Sequence, residues 1–367
     1  MTNNQSSVNI TRRNALKKMG MGVVASAVIP KIGINAFSVK KAEALPPRMP
    51  DSEWSKIRGF NYQPSYGSTG FELWQQFDAK IIASELEQGK RFFPKMNALR
   101  WWQSWDSFLR DPKRYAHDFD KTLEMAEKAG CKVIPCLFNR WHDWKLDYGG
   151  IYIDYILPKA NWVQKSKMYS AFLKATAGQH KDDPRIFAWD LCNEPFSYSC
   201  GQESIPDIVK EETYWLKSLY DMCKELDVQA PITVGISPNT PLEMVDPFCD
   251  LLSIHPYFFH GGPKTTQEEY EKTLDRDIAF ALKAGKPLLA TECCWGSLDD
   301  KVRVESVRYT LTQLRDRNIG WLAYLLHHSL IADAHRPEFG PVGGPGNLAF
   351  IEADGSLRPG HEVFNEF

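Results

Sequence analysis

The sequence predicts an α/β fold: a single-domain (β/α)8 TIM barrel with long loops after its strands. Three observations predict it. Eight short apolar runs alternate with longer amphipathic stretches. Several of those runs follow an explicit helix stop, a Gly or Asn-x-Gly that turns the chain back. The 367-residue chain, less its first 44 residues, exceeds the roughly 250 residues typical of such a barrel, and the excess falls into loops after strands.

Taken in order, the first strand is Ile57–Tyr62, followed by a helix over Phe71–Leu86. The second is Ala98–Trp102, with Trp101, Trp102 and Trp105 at or beyond its end. The helix Tyr115–Ala129 repeats Phe119, Leu123 and Ala126 at three- and four-residue spacing, and Ala129-Gly130 stops it. The third strand, Lys132–Phe138, leads into a long loop, Asn139 to Asn161, carrying Trp141 and Trp144. A helix over Trp162–Ala177 precedes the fourth strand, Ile186–Leu191, and a second long loop, Pro195 to Pro206, follows it. The helix Ile208–Leu226 and the strands Ile232–Ile236 and Leu251–His255 come next. The helix Gln267–Ala284 ends at Gly285 before the seventh strand, Leu288–Thr291. The helix Lys301–Arg317 ends at Asn318-Ile319-Gly320 before the eighth, Trp321–Leu326, and His327 to Pro345 forms the third long loop. A doubly wound open sheet competes, but it wants a Gly-rich phosphate loop after the first strand, and Gly59-Phe60-Asn61-Tyr62 is not one.

The first 44 residues read differently. Seven basic residues and one acid, Glu43, give them a net charge of +6, leaving −8 for the remainder of a chain whose total is −2. Arg12-Arg13, a mild apolar stretch from Met19 to Ile29 and Ala42-Glu43-Ala44 resemble a twin-arginine export signal with its cleavage site. Residues 1–44 are therefore expected to be such a signal and residues 45–367 the catalytic domain of an exported, periplasmic or extracellular bacterial protein. An acidic remainder argues against nucleic acid as a partner. No apolar run reaches the roughly 18 residues of a membrane span. Eight cysteines without a CxxC, most beside apolar runs, read as free buried thiols. Twelve tryptophans are many for a core alone and suit a cleft that stacks sugars.

The chemistry-bearing residues close strands. Ile186 to Pro195 is an apolar strand ending in Asn193-Glu194-Pro195, and the proline stops the ladder so that Glu194 projects at the barrel mouth. Pro287 to Trp295 is another, ending in Glu292 three units later.

This pair, on strands four and seven, resembles the retaining glycosidases built on (β/α)8 barrels, most similarly glycoside hydrolase family 5 and its cellulase- and mannanase-like neighbours. The resemblance covers residues 55–330. It implies a retaining hydrolase of a β-linked oligo- or polysaccharide of the β-glucan or β-mannan type, needing neither metal nor cofactor. It implies that Glu194 is the general acid/base and Glu292 the nucleophile, a division of labour in which one carboxyl is protonated while the other is ionised. It further implies that Arg100 lies beneath the nucleophile, that Asn193 binds the sugar 2-hydroxyl, and that His255 and Tyr257 of Ile254-His255-Pro256-Tyr257 flank the carboxylates. Trp101, Trp102 and Trp105 after strand two and Trp141 and Trp144 after strand three are the stacking candidates, with Trp295, just past Glu292, a further one. The chain departs from the family in having no Trp at the end of strand eight and no His at the end of strand three, where Asn139 and Arg140 stand. A retaining α-L-arabinofuranosidase or a β-xylan-active enzyme of the same clan is the alternative, and an inactive carbohydrate-binding barrel another, although such a barrel would be marked by loss of a glutamate. A metal enzyme on His327, His328, Asp333 and His335 fits no standard ligand spacing. Thiol chemistry at Cys293-Cys294 is disfavoured by the adjacent Glu292.

Overall fold

The computed structural model describes residues 45–140, 168–197, 207–258, 266–334 and 347–367. The expected export signal therefore lies outside the described residues, as do Trp141, Trp144, Cys200 and His335.

Eight parallel strands pair in sequence order and close on themselves: β1 Arg58–Tyr62, β2 Ala98–Trp102, β3 Lys132–Asn139, β4 Trp189–Asn193, β5 Ile232–Ile236, β6 Leu252–Ile254, β7 Leu288–Cys293 and β8 Gly320–Ala323. The fold class is the one the sequence predicts, and every predicted strand is present. The helix boundaries differ where capping decides them. The stretch read as one helix after β1 is two, Gly70–Gln75 and Ala79–Phe92, because Asp78 caps the second by accepting from the Lys80 and Ile81 amides. Gly130 and Gly285 take φ of 69° and 66°, the left-handed turn that returns the chain to β3 and β7.

Side chains alternate between two surroundings along each strand. Leu99 and Trp101 of β2, Ile232, Val234 and Ile236 of β5, and Leu288 and Ala290 of β7 belong to the large core between barrel and helices. The intervening residues point inward. At the N-terminal end, Ala98, Ile134, Ala188, Leu251, Leu289 and Leu322 join Trp54 and Ile57 in a separate apolar cluster that plugs the barrel floor. The next inward positions are polar: Asn61, Arg100, Asp190, Ser253 and Thr291 are all fully buried.

Two strands break this alternation. Between β4 and β5 the register runs from Asp190 opposite Thr233 to Asn193 opposite Gly235, so three steps on β4 face two on its neighbour. Between β7 and β8 it runs from Ala290 opposite Trp321 to Cys293 opposite Ala323, the same excess of one residue. Each is a bulge, and each lies where a strand reaches its glutamate. The bulge in β7 lets Thr291 and Glu292, neighbours in sequence, both face the interior.

All seven described cysteines are free and buried, in keeping with the expectation of thiols acting as small hydrophobes.

Candidate active site

At the C-terminal mouth the structure brings together Arg100, Asn193, Glu194, His255, Tyr257 and Glu292. One oxygen of Glu194, one of Glu292 and a ring nitrogen of His255 all lie within 4.8 Å of one another. Each carboxyl has a different set of neighbours. Glu292, 5% exposed, receives Arg100 Nη1 on Oε1 at 2.5 Å and the Tyr257 hydroxyl on Oε2 at 2.7 Å. Both its oxygens accept, the form in which a carboxylate can attack a carbon centre. Glu194, 7% exposed, meets His255 Nδ1 through Oε1 at 2.7 Å. Its backbone sits at φ 43°, unusual for a residue with a side chain, and is held there by its amide donating to the Gly235 carbonyl at 2.7 Å.

Arg100 is the hub. Its Nε donates to Asp190 Oδ2 at 2.8 Å, Nη1 to Asn61 Oδ1 at 3.0 Å as well as to Glu292, and Nη2 to Asn193 Oδ1 at 2.8 Å. The planar fork thus fixes four side chains on β1, β4 and β7 at once. Asn193 is locked in turn. Its Oδ1 faces Arg100 and its Nδ2 donates to Asn139 Oδ1 at 3.0 Å, so the amide can be placed only one way round. Gly235 makes the room. A Cβ there would stand 2.6 Å from His255 Nε2 and 3.1 Å from both Arg100 Nη2 and Asp190 Oδ2.

Electrostatics separate the two flanking residues. Burial drives the His255 pKa down to about 4, with Arg100 adding to the effect and Glu292 opposing it, so the ring is neutral at ordinary pH. Burial, then the charges of Glu292 and Glu194, push the Tyr257 phenol well above its usual range, so it remains a donor. A cation held by Glu194, His255 and Glu292 would compete with the hydrogen bonds that already join Glu194 to His255 and Glu292 to Tyr257.

The aromatic candidates divide. Trp295 is half-buried and packs edge-on against Tyr257 at 5.2 Å between ring centres. The Arg100 guanidinium stands 5.2 Å from the ring of half-buried Trp102. Trp101 faces the helices against Tyr62, and Trp105 packs against Tyr169, so these two are core residues, not cleft residues.

Sequence reading gives no role to Asp190, Asn61 or Tyr324, and notes Asn139 only as a departure from the family. Tyr324 follows β8 directly, lies in the same small cluster as Trp102 and Tyr257, and points its hydroxyl at Gln63 at 3.5 Å. It stands at the true end of the strand, since β8 ends at Ala323, three residues before the Leu326 that the apolar run predicts. Arg303 on the helix Asp300–Asp316 braces both aromatic walls. Its guanidinium donates to the carbonyls of Cys294 and Trp295 after β7 and, at 3.0 Å, of Tyr324 after β8.

Residues 68–329 match the cellulase family, glycosyl hydrolase family 5. The chain is similar to the probable mannan endo-1,4-beta-mannosidase F of Aspergillus flavus, with 35% identity over 257 residues, 65% of this chain and 49% of that protein. It is also similar to the mannan endo-1,4-beta-mannosidase F of Aspergillus clavatus, 37% identical over 106 residues, 27% of this chain and 23% of that protein. The chain thus spans half or less of the length of these relatives. Among solved structures, GH5_18 from Streptomyces cattleya in complex with GlcNAc shares the fold, with a TM-score of 0.64, 14% identity, and coverage of 88% of this chain and 80% of that one.

Proposed function

The chain belongs to glycosyl hydrolase family 5, and on that premise we propose that it is a retaining glycosidase acting on a β-linked glycan, with β-1,4-mannan the preferred substrate class. In this reading Glu292 attacks the anomeric carbon while Glu194 protonates the departing oxygen. The covalent glycosyl-enzyme is then hydrolysed by a water that Glu194 deprotonates. Arg100 and Tyr257 hold the nucleophile, Asn193 meets the sugar 2-hydroxyl, and Trp102, Trp295 and Tyr324 form the sugar-binding walls.

One observation carries the reading: two carboxyls with oxygens within 4.8 Å, one held by a guanidinium and a phenol, the other by a neutral imidazole. Retaining enzymes place their carboxyls about 5–5.5 Å apart, whereas inversion needs about 6.5–9.5 Å to admit a water between them. The preference for mannan rests on the names of the curated relatives. Export through the twin-arginine-like segment of residues 1–44 belongs to the same proposal, and N-terminal sequencing of secreted protein tests it. The activity is tested by proton NMR of the first-formed product during hydrolysis of β-mannan, β-glucan and β-xylan. Mannan cleavage giving the β-anomer first is expected, and the α-anomer first would overturn the assignment of retention.

A further inference from the structure

His255 is held at both ring nitrogens. Nδ1 lies 2.7 Å from Glu194 Oε1 and 3.6 Å from Glu292 Oε2. Nε2 lies 3.1 Å from Thr291 Oγ1, which in turn makes a very short contact with Ser253 Oγ. All of these groups except the tips of the two glutamates are fully buried. The groups facing the ring are Asp190 from β4 and Glu194 just past its end, Glu292 and Thr291 from β7, Arg100 from β2 and the bare backbone of Gly235 from β5.

We infer that this chain of hydrogen bonds runs in one direction, from Ser253 to Thr291 to His255 to Glu194, throughout the catalytic cycle, so that Thr291 is a positioning residue that confines the catalytic proton to Oε2 of Glu194. The inference rests on the reading of Glu194 as acid/base. When Glu194 is ionised, its Oε1 can only accept, so the ring proton must sit on Nδ1. Nε2 is then an acceptor, Thr291 must donate to it, and the short contact obliges Ser253 to donate to Thr291. When Glu194 is protonated, the reversed chain would have Nε2 donate to Thr291 and Thr291 to Ser253, and the hydroxyl hydrogen of buried Ser253 would then have no acceptor among the described residues. An unpaired hydroxyl in a buried interior is costly, so the reversed chain is disfavoured in this state too. The ring therefore keeps its proton on Nδ1 and continues to donate to Oε1. The proton given to the leaving oxygen, and later taken from water, belongs to the other carboxyl oxygen.

The test uses the full chain, labelled with ¹⁵N-histidine, and long-range proton–nitrogen spectra that report which ring nitrogen is protonated. His255 is expected to carry its proton on Nδ1 both in free enzyme and in a trapped 2-fluoroglycosyl-enzyme, and a proton on Nε2 in either state would overturn the inference. Thr291→Val leaves Nε2 unpartnered and weakens the bond to Glu194. On a phenyl β-glycoside, whose leaving group needs a proton, kcat/KM should fall about tenfold. Its basic limb should move to higher pH, because ionised Glu194 has lost part of a donor. A 2,4-dinitrophenyl glycoside should be affected about twofold at most. Thr291→Ser, which keeps the hydroxyl, should restore both rate and profile. An unmoved basic limb in Thr291→Val overturns the inference. Glu194→Ala separates the two ideas. If it keeps activity on the phenyl glycoside, the acid/base reading falls and takes this inference with it. If it loses that activity while Thr291→Val does not, only the hydroxyl chain falls.

Discussion

The barrel floor is closed by Ala98, Ile134, Ala188, Leu251, Leu289 and Leu322, while one step further along the same strands the interior holds Asn61, Arg100, Asp190, Ser253 and Thr291. The floor is held by packing that any set of well-fitted hydrocarbon side chains could supply. The upper layer has no such latitude. With a dry floor beneath, buried charges can be satisfied only by one another, and each of the four partners of Arg100 is placed by that need. Stability and chemistry are therefore separable at the bottom of the barrel and coupled at the top.

The sharpest break of that comparison comes from the carboxylates themselves. Glu292→Ala should lower kcat by on the order of 10⁴-fold or more, with azide restoring turnover as an α-glycosyl azide. Glu194→Ala should give the β-azide, since the covalent intermediate still forms from substrates with good leaving groups. Reversed product stereochemistry, read by NMR, would exchange the two roles.

Arg100→Ala should damage both properties at once. Removing one partner of a buried charge cluster costs about 3–5 kcal/mol of stability, seen in urea unfolding. The kcat/KM should fall about ten- to hundredfold, because the charge-assisted bond that holds Glu292 is gone. Arg100→Lys should recover only part of this, lacking the fork. An Arg100→Ala enzyme that lost stability but kept its kcat/KM would leave Arg100 a purely structural residue.

Leu289→Ala tests the other end. It should cost about 2–5 kcal/mol in unfolding while kcat/KM, measured well below the melting temperature, stays within about twofold of wild type. A large loss of activity there would mean that floor and mouth are coupled after all.

The smallest effect is a pH dependence. Burial lowers the pKa of His255 to about 4 and that of His361, on the C-terminal helical turn His361–Glu366, to about 3. The unfolded chain binds these protons near pH 6.5 and the folded chain does not. The stability they contribute is thus fully present above pH 6.5 and is lost as pH falls toward 4. Urea midpoints should drop between pH 7 and pH 5, by an amount equivalent to about 1–2 kcal/mol per histidine. A flat midpoint over that interval would contradict the burial of both rings as neutral species.

The eight strands and the two glutamates were legible because each strand is a compact apolar run and each glutamate ends one. The alternation within the strands was not. A parallel sheet buried on both faces reads as continuous hydrophobicity, so Trp101, which turns toward the helices, looked like a cleft residue. Asp190 and Asn61 were hidden for a related reason. A single polar residue inside an apolar run shows its purpose only when the partner on another strand is known, and Arg100 is 90 residues from one and 39 from the other. The bulges left no trace at all, since an extra residue in a strand has no composition of its own. Tyr324 was missed through a boundary: the apolar run continues to Leu326 although the ladder ends at Ala323.

Those bulges make the site a matter of counting. Along an unbulged β7, the residue after inward-facing Thr291 would point at the helices. Deleting one residue from that strand, with every side chain of the site still encoded, would exchange inside for outside beyond the cut. Glu292 would then face the hydrocarbon between barrel and helix, and the thiol of Cys293 would turn toward Arg100. The chain could keep its composition, its hydrophobic core and its eight strands and yet possess no pair of facing carboxyls. Short insertions and deletions near the ends of β4 and β7 should therefore be far more harmful than most point substitutions there, and a family that diverges around this barrel is free to vary its loops but not the parity of these two strands.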